Sequence, residues 1–189
     1  MSADLPSIRV LAIAGSLRKG SLNKALVRVA IQVAPPGVIV EEFMELGAIP
    51  LFNEDIEKQP PEAVRALKAR VAAADALLIA TPEYNNSIPG VLKNAIDWAS
   101  RPYGDNSFED KPVAIMGAGA SLGGVRAQLS LRQVFVYLDM HALNKPQVLV
   151  ANAKTRVDAS GEFSDPAIRD SVRQLLVALD VWTRRLKNR

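Results

Sequence analysis

The chain has no cysteine and a single histidine among its 189 residues. Without thiols there can be no disulfide, no thiolate-held zinc or iron–sulfur cluster, and no cysteine nucleophile. A lone imidazole, His141, rules out multi-histidine metal sites and leaves any serine–histidine mechanism one candidate base. Redox chemistry would therefore need a borrowed cofactor. No apolar run approaches roughly 18 residues, and the opening MSADLPSIR lacks a basic segment leading into an apolar one. Neither a membrane span nor a secretory signal is visible, and the expected location is the cytoplasm. Net charge is only +3, from 23 Lys and Arg against 20 Asp and Glu, which argues weakly for a nucleic-acid partner. The basic tail Arg184, Arg185, Lys187 and Arg189 reads as solvated charge on a last helical turn, where it suits the helix dipole.

What is present is a globular composition, 49% apolar and 23% charged, in a length suited to one domain over residues 1–189. Five apolar runs read as buried strands: IRVLAIA at 8–14, VIVEEFM at 38–44, ALLIA at 76–80, PVAIMGA at 112–118 and QVLVA at 147–151. Most lack in/out alternation, as in a sheet covered on both faces, while the second alternates enough to suit an edge. Helical spacing fills the gaps. Leu22, Leu26, Val29 and Val33 share a face before Pro35; Val64, Leu67, Val71 and Ala74 follow Pro60 and Pro61; Val91, Leu92, Ala95, Ile96 and Trp98 form a third stripe. A fourth helix is expected from about Leu122 to Asp139, and a fifth opens at Ser164, Asp165 and Pro166. This alternation predicts an α/β fold with a five-stranded, doubly wound parallel sheet and helices on both faces. Such sheets bind ligands beyond the carboxyl ends of their strands.

Three loops lie there. GSLRKGSLN, Gly15 to Asn23, offers two glycines for tight turns, the donors Ser16, Arg18, Ser21 and Asn23, and a helix N-terminus, which together make a phosphate cradle. It lacks the Lys-Ser/Thr pair of a nucleotide-hydrolase loop, since Ser21 and Leu22 follow Gly20. TPEYNNSIPG, Thr81 to Gly90, places Glu83, Tyr84, Asn85, Asn86 and Ser87 at a strand end, where a flat heteroaromatic ring could lie against Tyr84. GAGASLGG, Gly117 to Gly124, misses the dinucleotide fingerprint because position 122 is Leu, and its glycines are expected to wall a shared pocket and let backbone approach a ligand. Together the loops describe a phosphate site beside a ring slot, which matches a mononucleotide such as FMN.

Through GSLRKGSLN, TPEYNNSIPGVLKNAIDW and GAGASLGGVRAQLSLRQV the sequence resembles the NADPH-dependent FMN reductase family, flavodoxin-like in fold, and its quinone and chromate reductase branch. The resemblance implies noncovalent FMN, with Ser16, Arg18, Ser21, Leu22 and Asn23 around the phosphate. Pro82, Glu83, Tyr84, Asn85 and Ser87 would lie along the ring, and Ser121, Gly123 and Gly124 would close the pocket. Asn86 stands where relatives often carry a second aromatic. It further implies a dimer or tetramer that reduces quinones, chromate, azo compounds or free flavins with NADPH or NADH. The reaction expected is ping-pong with the flavin carrying the chemistry and no catalytic side chain. Arg101, in SRPYG, is expected either with Tyr84 on the substrate side, as a clamp for nicotinamide phosphates or an anionic acceptor, or in a surface salt bridge. VFVYLDM at 134–140 is apolar on nearly every side and suits a subunit interface or the core, and His141 reads as a helix-end or interface residue. Two rivals are a flavodoxin-type electron carrier and a nonredox binding module whose basic tail touches nucleic acid.

Overall fold

The computed structural model describes residues 6–188. Residues 1–5, on which the reading of no secretory signal partly rests, and the tail residue Arg189 lie outside the described residues. Strand β1 (Ile8–Ala14) is central and pairs in parallel with β2 (Val38–Glu42) and β3 (Ala76–Ala80), so that Val10 sits between Val40 and Ala76. Beyond β3 comes β4 (Pro112–Ala118), also parallel. The fifth position of the sheet corrects the expected five strands to six. It is shared by β5 (His141–Ala142), beside Pro112 and Val113, and β6 (Val148–Val150), beside Met116 to Ala118. Pro146 has no N–H to give the ladder, and the segment between the two pieces leaves the sheet.

Five helices connect the strands. In α1 (Leu22–Gln32) the Ser21 side chain accepts from the Lys24 N–H; α2 spans Glu62–Ala73 and α3 spans Gly90–Ala99. Helix α4 (Val125–Tyr137) is shorter than expected at both ends. Gly123 and Gly124 hold φ of 59° and 83°, and Asp139 holds 55°, so none can be helical. Helix α5 (Pro166–Lys187) begins as read, with Asp165 accepting from the Ala167 N–H at 2.8 Å.

Because successive side chains alternate across a strand, β1 and β3 feed two separate cores. Ala12, Ala14, Leu78 and Ala80 face α1 and α5, with Phe163 and Leu179. Leu11, Ile13, Leu77 and Ile79 face α2, α3 and α4, with Trp98, Phe108 and Phe135. The alanines on the first face let α1 settle close enough to reach β4 (Asn23 hydrogen-bonds Ala118), which positions its N-terminus over the middle of the sheet. Each large buried side chain in these cores stabilises the fold by about 1.5–3 kcal/mol.

The stretch 134–140 divides its loyalties. Phe135, Leu138 and Met140 are buried, while Val136 and Tyr137 are 82% and 78% exposed. His141 starts a strand rather than ending a helix. Its Nε2 lies 2.5 Å from Asp110 Oδ1, and its carbonyl accepts from the Trp182 indole at 3.0 Å. No helix among the described residues is long and apolar enough to cross a membrane.

Candidate functional site

A crevice of about 520 Å³ opens at the carboxyl ends of β1, β3, β4 and β6, within the size range of small-molecule sites. Ser16, Arg18, Ser21, Leu22 and Asn23 line its first wall. Ser21 caps α1, and the first turn leaves the Leu22 and Asn23 N–H groups without an intrahelical acceptor, so the wall carries donors and the positive end of the helix dipole. Two expectations about this loop change. The Asn23 side chain is 2% exposed and fully engaged: its Nδ2 donates to Ala118 O and its Oδ1 accepts from Ala118 N, both at 3.0 Å. It clamps α1 to the end of β4, and only its backbone N–H remains for a ligand. Neither Gly15 nor Gly20 adopts a positive φ. Gly15 is closely packed instead, since a Cβ there would sit 3.1 Å from Leu92 Cδ2 and press on that side chain, whereas a Cβ at Gly20 would meet nothing within 4 Å.

The second wall is a hairpin. Tyr84 and Ser87 exchange backbone hydrogen bonds of 3.2 and 3.0 Å around Asn85 and Asn86, whose φ values are 49° and 61°. Two consecutive left-handed residues make a type I′ turn, and asparagine tolerates that region better than most residues. Pro82, Glu83 and Tyr84 line the crevice, but Asn85 and Ser87, at the turn, do not. Tyr84 is half-exposed, with its hydroxyl 3.4 Å from Ser16 Oγ. Glu83 accepts from the Arg126 N–H at 2.9 Å and from Arg126 Nη1 at 3.0 Å, and Arg126 also donates to Asn86. Burial alone would raise the Glu83 carboxyl, but these hydrogen bonds and the Arg126 charge hold it below the usual carboxylate range.

In the third loop Ser121 and Gly124 line the crevice with Ala118, Gly119, Ala120 and Leu122, whereas Gly123 faces away. Gly117 and Gly123 serve packing. A Cβ on Gly117 would lie 2.7 Å from Gly123 O, and one on Gly123 would lie 2.7 Å from the Leu149 carbonyl carbon. Sequence reasoning missed Arg126 and a whole fourth loop, which contributes Asn152, Lys154 and Thr155 after β6. Asn152 N–H donates to Ala120 O at 2.7 Å and Ala153 N–H to Gly119 O at 3.0 Å, fastening this loop to the third. The missed signal was positional: the rule that sent attention to the ends of three strands applies equally to the last.

Arg101 is not brought to the crevice. It lies in a second hollow of about 360 Å³, with Phe52, Tyr103 and Tyr137. Its Nε donates to Glu57 at 2.7 Å and its Nη2 to Glu54 at 2.8 Å, and its guanidinium carbon stands 3.7 Å from the Tyr103 ring centroid. The hydrogen bond to Glu57 pushes its basicity further up. The expected clamp for an anion is thus a guanidinium already held by two carboxylates and a ring.

The crevice itself carries Arg18, Arg126 and Lys154 against the single acid Glu83, a balance suited to an anionic ligand. Residues 8–155 match the NADPH-dependent FMN reductase family. The chain is 50% identical over 182 residues to an NAD(P)H-dependent FMN reductase of Pseudomonas aeruginosa, covering 95% of this chain and 97% of that protein. It is 40% identical over 197 residues to an NADPH:quinone oxidoreductase of Arabidopsis thaliana, covering 100% and 98%. Among solved structures, the flavoenzyme NAD(P)H:(acceptor) oxidoreductase of Paracoccus denitrificans superposes with a TM-score of 0.83 at 34% identity, covering 94% and 98% of the two chains. Fold, matched length and similarity lead to one assignment: the chain is an oxidoreductase that belongs to the NADPH-dependent FMN reductase family.

Proposed function

We propose that the crevice holds FMN and that the protein reduces quinones with NADPH or NADH. The observation that carries this reading is the meeting, in one crevice, of a helix N-terminus lined with hydroxyls and a cation and a wall formed by Pro82 and the Tyr84 ring. The residues fit the group. Ser16, Arg18, Ser21 and the backbone N–H groups of Leu22 and Asn23 would hold the phosphate. Tyr84 and Pro82 would lie along the ring system, with Ser121 and Gly124 at its edge. When bound, FMN accepts a hydride from the nicotinamide donor and passes electrons to the acceptor.

The chain's own part is positional. The Glu83–Arg126 pair fixes the hairpin that carries Tyr84, and the Asn23 clamp fixes the helix end that faces the phosphate. No acid or base is assigned to a side chain. The open crevice admits donor and acceptor in turn, which supports ping-pong behaviour. Chromate, azo compounds and free flavins are further acceptors of this reading, and the cytoplasm is its location.

A homo-oligomer, dimer or tetramer, is part of the proposal. On α4, Leu129 and Val136 stand exposed seven residues apart, and the exposed Tyr137 extends the stripe. Such a line of apolar side chains on the outer face of α4 suits a second copy of the chain.

The test is to load the protein with FMN, bleach the flavin anaerobically with each nicotinamide, and follow reoxidation by benzoquinone, chromate and oxygen. Bleaching without a partner reductase and rapid reoxidation by benzoquinone are expected. A protein that binds FMN but is not bleached by either nicotinamide is an electron carrier, and a colourless protein that takes up no FMN removes the proposal.

A further inference from the structure

Of the three cations lining the crevice, only Arg126 has a carboxylate partner; among the described residues, Arg18 and Lys154 form no ion pair. Two cations without a carboxylate partner, lining one crevice, leave it a surplus of positive charge available to an anionic ligand.

The crevice has two sides, set by the two cores of the sheet. Tyr84, Glu83 and Arg126 stand on the side of α3 and α4. The N-terminus of α1 and the Lys154 loop stand on the other, since Ala25 and Ala153 are buried in the same core. A connected set of hydrogen bonds, through the Asn23 side chain and then the backbone, joins these last two. Asn23 holds Ala118, the neighbouring Gly119 and Ala120 accept from Ala153 and Asn152, and Lys154 follows directly. The loop has little freedom. Asn152 adopts φ of 49°, and Thr155 Oγ1 donates back to the Asn152 carbonyl at 2.9 Å, closing a tight turn that presents Lys154.

We propose that Lys154 is a second cation for the phosphate of FMN, acting with Arg18 from a loop that lies on the same side of the sheet as α1. The proposal rests on the FMN reading above and adds a residue that makes the site choose the phosphorylated flavin over riboflavin. A lysine suits this role because its compact ammonium on a flexible stem can neutralise a monoester dianion without fixed geometry.

The experiment measures dissociation constants of FMN and riboflavin for the flavin-free protein by fluorescence quenching, at low and at high salt. Lys154→Gln is expected to weaken FMN roughly tenfold and to leave riboflavin unchanged. Lys154→Arg should restore most of the loss, and salt should shrink the difference between wild type and Lys154→Gln. Equal weakening of both flavins would mean that Lys154 supports the loop rather than the phosphate, and would overturn the proposal. So would full FMN affinity in Lys154→Gln. Wild-type protein that does not distinguish the two flavins overturns the Lys154 assignment, and wild type that binds neither overturns the FMN reading beneath it.

Discussion

Replacing Asn23 with alanine tests whether a side chain that looks like a ligand donor is a structural clamp. In the fold its amide spans 95 residues of sequence to satisfy both the N–H and the C=O of Ala118, a residue only 2% exposed. Alanine removes both bonds and leaves two buried backbone groups unpaired. Each such orphan costs about 1–3 kcal/mol, so the pair should cost about 2–6 kcal/mol. For a domain of this size 1 kcal/mol moves the midpoint by about 2–4 °C, giving an expected fall of about 4–24 °C. Scanning calorimetry on the flavin-free protein reads this directly, because the clamp acts before any ligand arrives. FMN affinity should fall as well, since the N-terminus of α1 is no longer held against β4. If the midpoint moved by less than about 2 °C while FMN binding collapsed, Asn23 would be a ligand contact and the clamp argument would be refuted.

Two further outcomes follow from the geometry. Because the Glu83 carboxyl is held below its ordinary value of 4.5, its tie to Arg126 contributes in full above that value and is lost only as pH falls through the lowered one. An NMR titration of the Arg126 amide should therefore show the hairpin tie intact at pH 5 and absent in Glu83→Ala at every pH; release between pH 5 and 7 would contradict it. Val136→Arg should lower the mass measured by light scattering, by placing a charge on the exposed α4 stripe, with the monomer fold unchanged by circular dichroism. An unaltered mass in that variant and in Leu129→Arg would show that this face is not the one subunits share.

Much of the fold was legible because its punctuation is chemical. Proline and capping residues marked the starts of α2 and α5, and the apolar runs gave β1, β3 and β4 to the residue. What escaped lay below the length at which periodicity can register. His141–Ala142 is a strand of two residues, recognisable only through its partners Pro112 and Val113. The start of α4 was placed too early because the two glycines before it look like helix-compatible small residues until their positive φ is known. In the site, residue type was a good guide to place and a poor one to role. Asn23 reads as a donor, yet its partner is fixed by how closely α1 approaches β4, a tertiary fact. Arg101 reads equally as an anion clamp or as one half of a surface ion pair, and Glu54 and Glu57, which make it the latter, reach it from a short helical turn that carries no motif. The Asn85–Asn86 pair did carry a readable signal, since two adjacent asparagines between short polar flanks are a natural sequence for a type I′ turn.

The partition of the crevice between the two faces of the sheet has a consequence for how such a protein can change. In the proposed binding mode the grip on a phosphate is assembled from α1 and the loop after β6, rooted in one core. The surroundings of a ring are assembled from the hairpin and α4, rooted in the other. Repacking beneath α3 or α4 can reshape what a ring meets, and so shift a redox potential or admit a bulkier acceptor, while the tether that retains the cofactor stays untouched. Retention and reactivity are thereby free to drift along separate lineages of substitutions, with β1 and β3 as the shared wall between them.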